Sequence, residues 1–187
     1  MSRAGYVLVG GRSSRMGRDK ALLPFHGVAL AQFVACTVAS AASQAVLVGD
    51  PVRYAAFGYP VIPDRFPGEG PLGGILTALH HTSAEWNLVV ACDMPGLSAE
   101  FLGRLLEAAE QSGAQALLPA GPTGRPEPLC AVYHRNARPA LEMAFDAGQR
   151  KVTLALAAVP TASLVMPELA PFQNVNTPED WAGYAAK

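Results

Sequence analysis

Seven short apolar runs are spaced along the chain, with longer amphipathic stretches between them. The first four runs contain no charged side chain, which is typical of strands that a parallel sheet buries on both faces. The predicted strands are residues 6–9, 45–48, 61–62, 88–91, 116–118, 129–133 and 164–165.

The stretches between these runs predict helices at residues 29–40, 72–81, 98–111 and 137–147. In the third of them, Phe101, Leu105 and Ala109 fall on one apolar stripe, and Ser98 suits the N-cap position. Because strands and helices alternate, the pattern predicts the α/β class with a mainly parallel sheet. Ligands of such sheets bind beyond the carboxyl ends of the strands, so the residues that follow each run are where chemistry is expected.

Composition restricts the class of protein. A chain of 187 residues suits one domain, spanning residues 1–187, and 50% of the residues are hydrophobic. The formal net charge of -1 offers no basic field for nucleic acid, and Cys36, Cys92 and Cys130 are too widely separated for a zinc cage or a disulfide framework. These features favour a cytoplasmic protein. Residues 27–49 are uncharged, but polar side chains interrupt them, so a buried helix and strand are predicted there and no membrane span.

The densest cluster of cations follows the first predicted strand. Residues 10–20 combine the paired glycines Gly10 and Gly11 with four cationic side chains, which are Arg12, Arg15, Arg18 and Lys20. Glycines let backbone N–H groups approach an anion closely, and neighbouring cations repel one another unless an anion compensates them. The segment matches neither the Walker A motif nor G-x-G-x-x-G. It therefore predicts a phosphate site of another kind.

Polar residues also follow other predicted strands. Asp93 lies at the end of the fourth strand, where an ionised carboxylate is costly unless it is paired or binds a cation such as Mg²⁺. Asp64 follows the third strand and precedes the glycine-rich residues 68–74, which lead into a predicted helix N-terminus. Asn174 and Asn176 occupy alternate positions near the C-terminus, where their amides suit substrate or a metal-bound water. Each of these positions also has an alternative interpretation. Asp93 suits a helix cap, residues 68–74 suit an ordinary glycine-rich connection, and the two asparagines suit a purely structural role.

A second basic turn occupies residues 148–151 and ends with Arg150 and Lys151. It suits a second anion site for a phosphorylated acceptor, and a solvated turn is the alternative. The pattern alone leaves both interpretations open.

Five segments together resemble one family: residues 8–11, 15–20, 70–73, 92–95 and 174–178. The chain resembles the molybdenum cofactor guanylyltransferase family, within the larger group of nucleotidyltransferases that share the loop G-G-x-S-x-R-M-G-x-D-K. The resemblance spans nearly the whole chain. It implies a three-layer, single-domain, Rossmann-like nucleotidyltransferase fold. It also implies transfer of GMP from GTP to the terminal phosphate of molybdopterin with Mg²⁺ as cofactor, and molybdoenzymes or cofactor-handling proteins as possible partners.

The resemblance also assigns residues by position. The residues that match the nucleotide-binding positions are Leu8, Val9, Gly10, Gly11, Lys20, Asp64 and Asp93. The residues that match the acceptor-binding positions are Arg150, Lys151, Asn174 and Asn176. Arg15, Lys20 and Asp93 are expected to be catalytic, and Asp93 is expected to be the metal ligand.

Two positions depart from the family pattern: Val9 stands where alanine is frequent, and Gly49 where asparagine is frequent. The loss of a side chain at Gly49 removes an expected contact to the nucleotide, so the identity of the nucleotide base stays undetermined. Cytidylyl transfer to the same pterin and nucleotidyl transfer to a sugar or alcohol phosphate are therefore alternatives. A GTP-binding cofactor-delivery protein without turnover is an alternative of a different class.

Overall fold

A seven-stranded sheet forms the middle layer of the computed structural model, which describes residues 1–10, 19–122 and 124–166. The strands are β1 (Arg3–Leu8), β2 (Pro24–Phe25), β3 (Val28–Ala29), β4 (Ala45–Val48), β5 (Val61–Ile62), β6 (Trp86–Ala91), β7 (Ala116–Ala120), β8 (Cys130–His134) and β9 (Thr161–Val165). The α-helices are α1 (Leu30–Ala42), α2 (Pro71–His81), α3 (Ala99–Gln111), α4 (Arg138–Asp146) and α5 (Val152–Ala155). The expected α/β class is confirmed.

The sheet has the strand order β5-β4-β1-β6-β8-β7-β9, and β2 and β3 form a separate hairpin. β1 pairs in parallel with both β4 and β6, whereas β8 runs antiparallel to β6 and β7. Six strands of the large sheet therefore end at the same side, which we call the carboxyl edge. The loops that follow β1, β4, β5, β6 and β7 all begin at this edge.

Helices cover both faces of the sheet and give the three-layer arrangement. Alternate residues of a strand point to opposite faces, so Val7 packs with α1 and α3 while Tyr6 packs with α2 and α4. Tyr6 is 1% exposed and Val7 is 0% exposed. Burial on both faces explains why the central strands are continuously apolar.

Two helix starts follow the local sequence. The Ser98 hydroxyl accepts a hydrogen bond from the N–H of Phe101, which confirms the expected N-cap of α3. Gly70 precedes α2 with φ 82°, and Pro71 occupies the first helical turn. A Cβ atom added at Gly74 would lie 3.1 Å from Leu8 Cδ2, so this glycine allows α2 to pack closely on β1. Packing thus accounts for part of the glycine-rich segment.

The structure adds two elements that the hydrophobic pattern does not predict. The β2–β3 hairpin turns at His26 and Gly27, whose φ angles of 47° and 83° fit a two-residue turn of type I′. The other element is α5, which spans a single turn. The expected strand and helix around residues 172–180 lie outside the described residues.

The uncharged stretch contains α1 and β4, as expected. Within residues 1–10, 19–122 and 124–166, no helix has both the length and the hydropathy that a membrane crossing requires.

Candidate active site

Lys20 and Asp93 meet at the carboxyl edge of the two central strands. Leu8 pairs with Ala91 in the β1–β6 ladder, and the Cys92 N–H donates to the Leu8 carbonyl oxygen at 3.2 Å. Lys20 Nζ lies 3.4 Å from Asp93 Oδ2, and the two side chains are only 17% and 19% exposed. In so shielded a position charges interact more strongly than they do in water.

Asp93 is held in a setting that disfavours its charge. Burial raises the pKa of Asp93, and the neighbouring Lys20 ammonium opposes that rise without cancelling it. The second carboxylate oxygen, Oδ1, is buried and has no hydrogen-bond partner among the described residues. A buried polar atom without a partner is costly, and a bound cation would remove that cost.

The residues present fit a divalent cation that takes some of its ligands from the protein and the others from a bound substrate. No group of three or more His, Cys, Asp or Glu side chains is placed to hold a metal ion within the described part of the chain. Mg²⁺ is commonly bound by one or two carboxylates together with substrate phosphates and water. Asp93 can provide one such carboxylate.

The thiol beside Asp93 does not provide a nucleophile. Burial, together with the neighbouring Asp93 carboxylate, raises the pKa of Cys92 to about 12. Because a thiol reacts as the thiolate, Cys92 is inert at neutral pH.

Leu8, Val9 and Gly10 form the end of β1 and the start of the following loop. The Val9 N–H donates to the Val48 carbonyl oxygen at 3.0 Å, which ties this end to β4. Gly10 is exposed and has a φ of 99°, a conformation that favours glycine. The backbone is thus directed out of the sheet at the position where the sequence predicts nucleotide binding.

Asp64 is anchored to the middle of α2 and to the loop before it. Its Oδ1 atom accepts a hydrogen bond from the Phe66 N–H at 2.9 Å and lies 2.9 Å from the Thr77 hydroxyl. Thr77 is 2% exposed and also accepts from the Arg65 N–H. These contacts fix the loop after β5 at the carboxyl edge, and the nucleotide-binding role of Asp64 stays a prediction.

Glu127 is a further buried carboxyl group near Asp93 that the sequence patterns do not single out. The Leu129 carbonyl oxygen accepts from the Ala91 N–H at 2.8 Å, which places the β7–β8 loop beside the end of β6. Glu127 Oε1 accepts from the Leu129 N–H at 3.2 Å. Burial raises the pKa of Glu127, and the nearby Asp93 carboxylate adds to that rise. The available signal was a glutamate within the proline-rich residues 121–128, between two predicted strands.

Arg150 lies in the turn between α4 and α5 and forms an ion pair with Glu69, with 2.5 Å between Arg150 Nε and Glu69 Oε2. The Arg150 guanidinium also stacks on the Phe145 ring, 3.9 Å from its centroid, and donates to the Phe145 carbonyl oxygen. Both charged side chains are more than 40% exposed. Lys151 is exposed beside them. The basic turn therefore reaches the loop that precedes α2.

Four expected site residues, Gly11, Arg15, Asn174 and Asn176, lie outside the described residues. Their predicted roles stay predictions. Lys20, Asp93, Asp64 and Gly10 do lie at one edge of the sheet, as parallel strand ends require.

Comparison with known proteins identifies the family. Residues 5–159 match the model of the MobA-like NTP transferase domain. The chain belongs to this family. A MobA-like NTP transferase is a nucleotidyltransferase, so the expected enzyme class is confirmed.

Individual relatives of this MobA-like NTP transferase agree with the expected family. A probable molybdenum cofactor guanylyltransferase from Deinococcus radiodurans is 37% identical over 178 residues, covering 94% of this chain and 90% of the relative. The crystal structure of molybdopterin-guanine dinucleotide biosynthesis protein A from Archaeoglobus fulgidus superposes with a TM-score of 0.84 at 30% identity, covering 98% and 97% of the two chains. The nucleotidyltransferase fold is thereby confirmed.

A more distant neighbour shares the fold alone. It is a Mycobacterium tuberculosis H37Rv protein solved as a complex with manganese, with a TM-score of 0.72 and 17% identity over 100% of both chains.

Proposed function

We propose that this enzyme transfers GMP from GTP to the terminal phosphate of molybdopterin. An oxygen of that phosphate attacks the α-phosphorus of GTP, and the bond from the α-phosphorus to the oxygen that bridges to the β-phosphate breaks. Pyrophosphate leaves with the bonding electron pair, and the product is the guanine dinucleotide of the pterin. The names of the relatives described above support this choice of donor and acceptor.

The shielded Lys20–Asp93 pair is the observation that carries the proposal. The acceptor phosphate is already ionised at neutral pH, so the reaction needs positioning and charge neutralisation more than a strong base. Lys20 supplies a cation 3.4 Å from the Asp93 carboxylate, at the edge where the triphosphate is expected. Arg15 and the backbone of Leu8, Val9, Gly10 and Gly11 are proposed to hold the rest of the donor, with Asp64 beside them.

The Asp93 carboxylate would hold Mg²⁺ through the oxygen that has no hydrogen-bond partner among the described residues. The bound ion would neutralise the charge that grows on the leaving pyrophosphate. Lys20 is fixed against the other oxygen of Asp93, so the lysine and the carboxylate are positioned together.

Acceptor binding is proposed at the basic turn. Arg150 is held in place by the Phe145 ring and carbonyl oxygen, and its guanidinium fork suits a phosphate. Lys151 adds an exposed cation next to it. Asn174 and Asn176 are proposed to contact the substrates at the point where the donor nucleotide and the pterin meet.

Release of pyrophosphate by the purified protein tests donor, acceptor and reaction together. We expect release that requires GTP, molybdopterin and Mg²⁺, with little release when molybdopterin is omitted. Reaction with CTP in preference to GTP would overturn guanylyl transfer while retaining the nucleotidyltransferase assignment. Tight GTP binding with no release in the complete mixture would favour the cofactor-delivery alternative.

Nucleotide binding gives a second measurement that does not depend on the acceptor. In a thermal-shift series with GTP, CTP, ATP and UTP in the presence of Mg²⁺, GTP is expected to stabilise the protein most, because a ligand that binds only the folded state raises the apparent stability.

A further inference from the structure

Tyr54 lies near the start of the loop that follows β1 and is almost completely buried. It is 1% exposed, although it lies in the loop after β4 among mainly exposed residues. Its hydroxyl donates a hydrogen bond to Asp19 Oδ2 at 2.8 Å. The same hydroxyl oxygen lies 3.9 Å from the position that a Cβ atom at Gly10 would occupy. Tyr54 is thus hydrogen-bonded to Asp19 and lies near Gly10, at two separate points of the chain after β1.

Asp19 in turn fixes the backbone at Lys20. Its other oxygen, Oδ1, accepts a hydrogen bond from the Ala21 N–H at 3.0 Å and caps the short 3₁₀ turn Lys20–Leu22. Tyr54 therefore fixes Oδ2 of the Asp19 carboxylate, while Oδ1 of the same carboxylate fixes the backbone turn that begins at Lys20. From this turn the Lys20 ammonium reaches Asp93.

The surroundings of Tyr54 account for Gly49, one of the two positions that depart from the family pattern. A Cβ atom at Gly49 would lie 2.5 Å from the Val9 carbonyl oxygen, 2.7 Å from Val9 Cγ2 and 3.0 Å from Tyr54 Cε2. Any side chain at residue 49 would therefore displace the end of β1 or the Tyr54 ring. Gly49 and Val9 are in this chain one packing arrangement, and it leaves room for the tyrosine.

The hydroxyl is suited to be a permanent donor. Burial raises the pKa of Tyr54, and the Asp19 carboxylate raises it further, so the phenol keeps its proton at neutral pH. Arg53 also donates to Asp19 Oδ2, at 3.0 Å, but its side chain is 54% exposed. Of the two donors to Asp19, Tyr54 is therefore the one that is shielded from solvent.

We propose that Tyr54 is a positioning residue for catalysis: its hydroxyl fixes Asp19, and Asp19 fixes the turn that places the Lys20 ammonium beside Asp93. This inference rests on the proposed function for its kinetic readout. The anchoring itself is a structural property that can be measured without any substrate.

Tyr54→Phe removes the hydroxyl and keeps the ring that packs on Gly49. We expect roughly tenfold lower kcat for pyrophosphate release, because small displacements of a catalytic group reduce rate steeply. We also expect faster hydrogen exchange at the Ala21 amide in the substrate-free protein. Tyr59→Phe is the matched control, because Tyr59 lies outside this network, and it should change neither quantity.

A double-mutant cycle separates positioning from a general loss of stability. If Tyr54 acts through Lys20, Tyr54→Phe should lower kcat little further in the Lys20→Ala background. Fully additive losses would overturn the proposal, as would Tyr54→Phe with kcat within twofold of wild type and unchanged Ala21 exchange. If the wild type releases no pyrophosphate from any nucleotide, the proposed function fails, and the exchange measurement alone then decides whether Tyr54 anchors Asp19.

Discussion

Two of the pairs of a cation and a carboxylate at the carboxyl edge, Lys20 with Asp93 and Arg150 with Glu69, differ in how they are built. Lys20 and Asp93 follow two adjacent parallel strands and are both less than one-fifth exposed. Arg150 and Glu69 join the turn before α5 to the loop before α2, and both are more than 40% exposed. The first pair is positioned by the sheet, and the second by two loops.

This difference separates a fixed site from an exchangeable one. An exposed ion pair contributes little to stability, about 0 to 1 kcal/mol, so an incoming phosphate can replace the Glu69 carboxylate at small cost. The buried Asp93 carboxylate cannot be replaced so easily, because removing either partner leaves the other charge poorly compensated. We therefore expect variants at the first pair to reduce turnover and variants at the second to change acceptor affinity.

The largest effects are expected at the shielded pair. Asp93→Asn and Lys20→Ala should each reduce kcat by about a hundredfold or more, because Lys20 would stabilise the negative charge that develops in the transition state and Asp93 would hold the Mg²⁺ that does the same. Steady-state pyrophosphate release measures the loss, and Asp146→Asn, at an exposed aspartate, is the matched control. Near-normal kcat in either folded variant would contradict the assigned roles.

Metal binding provides a readout at Asp93 that does not require turnover. With GTP present, added Mg²⁺ should raise the Tm of wild type and have a much smaller effect on Asp93→Asn, because the variant lacks the carboxylate that would bind the ion. Equal Mg²⁺-dependent shifts in the two proteins would exclude Asp93 as a metal ligand.

At the exposed pair, Arg150→Lys should raise the KM for molybdopterin by about tenfold while kcat changes little, because lysine replaces a bidentate fork with a point charge. Arg104→Lys, on the exposed side of α3, is the control. If kcat fell as it does in Lys20→Ala, the contrast between the two pairs would disappear.

Glu69→Gln should have a smaller effect of the opposite sign. Removing the carboxylate leaves Arg150 stacked on Phe145 but without its competing anion, so we expect a KM for molybdopterin about two- to fivefold lower. The change should shrink as salt concentration rises, since salt screens exposed charges. A higher KM would show that Glu69 orients Arg150 and does not compete with the acceptor.

The smallest effect is expected at an ion pair far from the site. Arg3 donates two hydrogen bonds to Glu110, at 2.8 and 2.7 Å, and they lower the pKa of Glu110. A lowered carboxyl pKa stabilises the fold above the unfolded-state pKa of about 4.3, and the benefit is lost as pH falls through the folded value.

Glu110→Gln should therefore lower the free energy of unfolding at pH 7 by less than about 1 kcal/mol, and the difference from wild type should diminish below about pH 4. Urea unfolding at the two pH values measures it. Unchanged pyrophosphate release would confirm that an ion pair at a different location has no part in catalysis.

Sequence patterns predicted the elements that are long or that carry a complete local signal. The central strands are apolar on both faces, and Ser98 caps α3 as its position indicated. The expectation that Lys20 and Asp93 share one edge also holds, because parallel strands bring their carboxyl ends together. Hydrophobic period and capping are local properties, so one sequence suffices to read them.

Only the tertiary structure decided which side chains meet. Glu127 approaches Asp93 because β8 is inserted antiparallel between β6 and β7, a strand order that the hydrophobic pattern does not encode. Tyr54 contacts Asp19 across 35 residues of sequence, and Gly49 is required by the space that Val9 and Tyr54 occupy. The sequence alone determined the fold class and the chemistry available at the strand ends. Strand order and close packing determined the partners, because contacts between distant residues depend on the positions of all the elements at once.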